Sequence, residues 1–98
     1  MASLFLTTRA LDDLERLARF LAESDPPAAD RTVGLILDAL QVLEPHPLIG
    51  RPVETGRREL VISRGRSGYI ALYRYVPARD RVYVLAIRHQ RDVGFEED

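Results

Sequence analysis

Apolar residues recur at spacings of three and four in the first half of this chain, and at every second position in much of the second half. Leu11, Leu14, Leu17, Ala18 and Leu21 fall on one helical face, with Asp12, Asp13, Glu15, Arg16, Arg19 and Glu23 mostly off it. Thr7 and Thr8 supply the side-chain oxygen that caps a helix start. A second stripe, Ala29, Val33, Ile36, Leu37, Leu40 and Leu43, follows the break Ser24-Asp25-Pro26-Pro27. Proline is accepted in a first helical turn because the N–H it lacks would have no partner there. Pro45 and Pro47 end the stripe near Glu44. Two amphipathic helices joined by a short turn form a hairpin, each with one stripe to bury.

The run Leu4-Phe5-Leu6 predicts a first strand within Ser3 to Thr7. From Gly50 the period becomes two. Glu59 to Ser63 reads as a strand, Gly65-Arg66-Ser67-Gly68 as a hairpin turn, Tyr69 to Val76 as the next strand, and Val82 to Ile87 as the last. Strands joined by loops this short run antiparallel. The last two are apolar in both phases, which predicts a sheet covered by helices on one face and used on the other. The sum is one α+β domain over 1–98, β-α-α-β-β-β, with a helical hairpin packed on a small antiparallel sheet and the first strand at its side. Leu14, Leu17, Leu21, Ile36, Leu40, Leu43, Leu72 and Leu85 are the expected core. Tyr69, Tyr73 and Tyr75 share a face, with Tyr83 a candidate to join them; packing beneath the helices is preferred over base stacking.

Composition narrows the chemistry. The 98 residues include no cysteine, which removes disulfides, thiolate nucleophiles and cysteine-ligated zinc. An apolar fraction of 46% with 30% charged residues is that of a globular protein. No apolar run approaches a membrane span, and MASLFLTTR lacks the basic start of a secretory leader, so a cytoplasmic protein is expected. The net charge of −1 hides an asymmetry: residues 50–91 carry ten arginines against Glu54, Glu59 and Asp80, while residues 1–49 and 92–98 are each acidic. A basic second half points to an acidic partner, nucleic acid or protein. All fourteen basic residues are arginine, the side chain suited to bidentate contacts with carboxylate or phosphate. Arginine-only usage also follows from genome composition.

Arg51, Arg57, Arg58, Arg64, Arg66, Arg74, Arg88 and Arg91 lie on and between the strands. Gathered on one face they would hold an anionic partner; scattered, they are a solvated surface that blocks edge pairing. The apolar run from Val84 ends in Arg88-His89-Gln90-Arg91, a basic tip that a core strand does not need. His89 is a conceivable general acid or base. A strand-end histidine bonded to backbone is the preferred reading, and His46 belongs to the Pro-His-Pro helix stop. Glu54 and Glu59 are expected to pair with nearby arginines. No phosphate-cradling glycine loop, nucleophile elbow, paired-carboxylate motif or metal-ligand cluster is present, so neither metal nor cofactor is expected.

The break HPLIGRPV, the strand RELVI, the hairpin SGYIALYRY and the terminal VLAIRHQRD, in this order, resemble the RelE/ParE superfamily of bacterial toxins. The resemblance runs from Thr8 to Phe95. It implies the toxin of a type II toxin–antitoxin, or plasmid stabilisation, system that is neutralised by a cognate antitoxin. RelE-like members are ribosome-dependent mRNA endonucleases that use sheet lysines and arginines, an arginine after the tyrosine of the Ser-Gly-Tyr hairpin, and a C-terminal tyrosine or a histidine with tyrosine. This chain has no lysine, Ile70 follows Tyr69, and Phe95 stands near the C-terminus. ParE-like members poison DNA gyrase, and their last strand ends in a basic stretch similar to Ile87-Arg88-His89-Gln90-Arg91-Asp92. The resemblance therefore implies a gyrase inhibitor with no catalytic residue, contacting target and antitoxin through Arg64, Arg66, Arg74, Arg88, His89 and Arg91. The alternative is a RelE-like nuclease using His89, Arg88 and Arg91. A non-toxic antitoxin-binding module is the third reading.

Overall fold

A computed structural model describes residues 1–63 and 68–90. The elements follow the order β1 (Ser3–Leu6), α1 (Thr8–Ala22), α2 (Pro26–Gln41), β2 (Arg51–Pro52), β3 (Arg58–Val61), β4 (Tyr69–Val76) and β5 (Arg81–His89). Thr7 caps α1, its side chain accepting from the Ala10 N–H, and Asp25 caps α2 in the same way through the Ala28 N–H. Among the described residues no helix is long and apolar enough to cross a membrane.

The strands form one sheet in the order β1-β5-β4-β3-β2. The consecutive pairs β2–β3, β3–β4 and β4–β5 are antiparallel, as their short connections require. β1 is different. It runs parallel to β5, Ser3 opposite Arg81 and Leu6 opposite Val84, so the sheet is mixed rather than antiparallel. The short-loop rule constrains only neighbours in sequence, and β1 reaches β5 across nearly the whole chain. The two-residue β2 was also not predicted; it pairs Arg51 with Glu59 and Pro52 with Arg58 at the far edge.

The core lies between the helical hairpin and one sheet face. Ala10 and Leu14 of α1, Ile36 and Leu40 of α2, and Leu43 just beyond it meet Tyr69, Ala71, Tyr73, Val82, Val84 and Ile87. Tyr69, Tyr73 and Tyr75 do share this face, whereas Tyr83 stacks on Phe5 on the other. Leu17 and Leu21 are only half-buried. Leu72 and Leu85, expected in the core, are half-buried on the open face. In β4 the odd-numbered residues take the helix side, which turns Leu72 outward. In β5 the phase changes partway. Leu72 pairs with Ala86 and Tyr73 with Val84, so Leu85 is an extra residue, a β-bulge. Val82 and Val84 face the helices before it, and Ile87 after it.

Tyr73 is fully buried and anchors the loop after α2. Its hydroxyl accepts from the Gly50 N–H at 2.8 Å. A Cβ on Gly50 would stand 2.6 Å from that ring and 2.7 Å from the Glu59 carbonyl oxygen, so only glycine lets the backbone approach this closely. Burial pushes the Tyr73 phenol up, even though the Gly50 N–H and the Arg58 guanidinium pull the other way.

Candidate functional site

The bulge decides what the strand tip presents. It returns Ile87 and His89 to the helix side and places Arg88 on the open face, opposite Ile70. The His89 ring meets Tyr69 edge-on, with centroids 5.4 Å apart. Burial pushes the Tyr69 phenol up, which keeps it protonated and makes it a weaker acid. Gln90 continues the tip, its N–H donating to the Gly68 carbonyl at 2.8 Å. The two residues expected to act together, Arg88 and His89, therefore lie on opposite faces of one strand.

Helix α1 holds this geometry. A bulge disturbs the ladder, and two side chains at the start of α1 take up the displaced backbone groups. The Thr7 hydroxyl donates to the carbonyls of Val84, at 2.9 Å, and Leu85, at 3.3 Å. The Asp13 carboxylate accepts from the Ile87 N–H at 3.0 Å and also pairs with Arg16. Asp13 sat among the polar positions of α1 and carried no sequence signal, since its partner is 74 residues away. Asp13→Ala is expected to leave a half-buried N–H unpaired, lowering stability by about 1–3 kcal/mol. Asp13→Asn, which keeps an acceptor oxygen, should lose less. Thermal denaturation of the two variants measures the difference.

The arginine set divides. Arg58 donates to the carbonyls of Leu48 and Gly50 and is structural. Arg51 pairs with Glu59, as expected of that acid. The Glu54 carbonyl, rather than its carboxylate, accepts from Arg57. Arg57 and Arg74 converge on Thr55, the first through its hydroxyl and the second through its carbonyl. They line a wide-mouthed cavity of about 690 Å³ with Thr7, Val76, Tyr83 and Leu85. Arg74 and Arg88 share the open face but stand four residues apart along β4, counting Ile70 as the partner of Arg88. At strand spacing that is about 13 Å. Arg64, Arg66 and Arg91, together with Phe95, lie outside the described residues.

Comparison with known proteins agrees with this architecture. A family model described as "ParE toxin of type II toxin-antitoxin system, parDE" matches residues 4–94. Toxin RelE3 of Caulobacter vibrioides is 42% identical over 89 residues, covering 91% of this chain and 95% of its own. Among solved structures, one described as the chromosomal ParDE system of P. aeruginosa superposes with a TM-score of 0.77 at 26% identity, covering 91% of this chain and 96% of that one. The RelBE2 toxin–antitoxin complex of Mycobacterium tuberculosis gives 0.65, also at 26% identity, covering 91% of each chain.

Proposed function

Because the chain belongs to the ParE toxin family of type II toxin–antitoxin systems, we propose that it acts as a ParE-like inhibitor of DNA gyrase and that a cognate antitoxin neutralises it. The names of its relatives divide between RelE and ParE, and the site separates the two targets by their chemical demands. Cleavage of RNA through the 2′-OH needs a base, an acid and a cation around one phosphate. The observation that carries the reading is the division of the tip by strand alternation, with the bulge deciding which residue takes which face. Arg88 faces the open side and His89 faces Tyr69 on the helix side, so they do not converge on one scissile bond. Ile70, on the open face beside Arg88, is apolar where the RelE-like resemblance implies an arginine. Inhibition by contact asks for none of that chemistry. It needs a rigid tip bearing a charge, and Thr7 and Asp13 supply the rigidity.

The antitoxin reading rests on the open-face arginines and on the relatives whose structures are toxin–antitoxin complexes. Its acids would face Arg74 and Arg88, with Arg64, Arg66, His89 and Arg91 as further contacts. Expression of this chain alone is expected to arrest growth of a bacterial host, and co-expression of the reading frame adjoining its gene to restore it. The isolated complex should weaken as salt rises, and on Arg74→Glu. Unimpeded growth in the presence of soluble, folded protein would remove the toxin reading.

A further inference from the structure

We propose that the cavity at the Thr55 end of the open face is a carboxylate-binding subsite that takes an acidic side chain of the neutralising protein, an inference that rests on the antitoxin reading above. Thr55 has φ 58° and ψ 40°, the left-handed region that a β-branched residue seldom adopts, and Gly56 follows at φ 73°. This conformation presents two acceptors of Thr55 to two arginines. Its hydroxyl accepts from Arg57 Nε at 3.0 Å and its carbonyl from an Arg74 terminal nitrogen at 3.3 Å. The loop thus fixes two guanidinium groups at one cavity.

Neither arginine is matched by an acid among the described residues. Among the described residues, Arg16, Arg19 and Arg51 form ion pairs with carboxylates, whereas Arg57 and Arg74 form none. Their bonds to Thr55 and to the Glu54 carbonyl use neutral oxygens and only part of their donor capacity. Two cations held together without a counter-charge form a receptor for an anion, and a planar guanidinium grips a carboxylate through paired N–H groups.

The rest of the lining favours a protein side chain over a nucleic-acid strand. Val76 and Leu85 are aliphatic and suit the apolar neighbours of an acidic residue. Base-binding surfaces offer open aromatic faces. Here Tyr83 stacks on Phe5 at 5.6 Å, and Arg81 lies over the Phe5 ring at 5.3 Å, so the face each offers its neighbour is already taken.

The full chain, labelled with ¹⁵N, can be titrated with a ten-residue peptide of alternating leucine and glutamate, and separately with a ten-nucleotide single-stranded RNA. The peptide is expected to shift the side-chain Nε resonances of Arg57 and Arg74. Affinity should fall about tenfold in Arg57→Gln and in Arg74→Gln, fall less in Arg74→Lys, and stay unchanged in Arg31→Gln on α2. Each variant's melting temperature establishes that it is folded. Peptide binding that leaves both resonances unmoved, no peptide binding at all, equal affinity in the variants, or selective binding of the RNA at these arginines would each overturn the proposal. Co-expression with the adjoining reading frame separates this inference from the reading beneath it. Full growth rescue of a toxic Arg57→Gln, Arg74→Gln double variant sinks the subsite and leaves the antitoxin. Absent rescue of the unaltered chain, with peptide binding intact, sinks the antitoxin and leaves a carboxylate site.

Discussion

A Leu40→Asp variant is expected to show no cooperative thermal unfolding transition. Leu40 is fully buried, on the face of α2 that meets α1 and the sheet. Removing the leucine forfeits about 1.5–3 kcal/mol of burial and leaves a cavity among Ile36, Leu43 and their neighbours. The carboxylate adds a larger penalty, since a buried charge without a partner is expelled or protonated. Together these approach the whole margin of about 5–15 kcal/mol that a small domain has. Leu40→Ala should instead retain a transition, lowered by about 2–5 kcal/mol. A Leu40→Asp protein that melts cooperatively near the parent temperature would mean that this face of α2 does not form the core.

Arg88→Ala is expected to weaken gyrase inhibition by at least about tenfold, the loss on truncating one well-placed charged contact. Arg88 stands half-buried on the open face at the tip of β5. His89→Ala should matter less. Its ring packs against Tyr69 on the helix side, and inhibition by contact moves no proton. A nuclease predicts the reverse order, with His89→Ala the most damaging because imidazole is the side chain suited to proton transfer at neutral pH. Melting temperatures of both variants separate lost contact from lost fold.

Much of the fold could be read from the chain because its periods are clean. The stripes through Leu14 and Leu40, the cap at Thr7, the break before α2 and the bounds of β4 follow from spacing and local chemistry alone. The bulge does not. Val84-Leu85-Ala86-Ile87 is apolar at every position, so a one-residue change of phase leaves no mark in the pattern. For the same reason Leu85 passed for a core residue, and Leu72 did because β4 is apolar in both phases around it. Pairing of β1 with β5, and of Asp13 with the Ile87 N–H, are contacts across most of the chain that no local window contains. The arginines were visible as a set, but their division depends on strand phase. Arg58 turned to backbone carbonyls and Arg51 to Glu59, while Arg57 and Arg74 came together.

Inhibition of DNA supercoiling separates a gyrase poison from an RNA-cleaving toxin. Purified chain, free of any antitoxin, is added to gyrase acting on relaxed plasmid, and in parallel to a translating extract whose mRNA is mapped for cleavage. The expected result is loss of supercoiling at stoichiometric protein, relieved in Arg88→Ala, with ribosome-bound mRNA intact. Unimpaired supercoiling together with codon-specific mRNA cleavage, abolished by His89→Ala, would instead make this chain an RNA-cleaving member of the family.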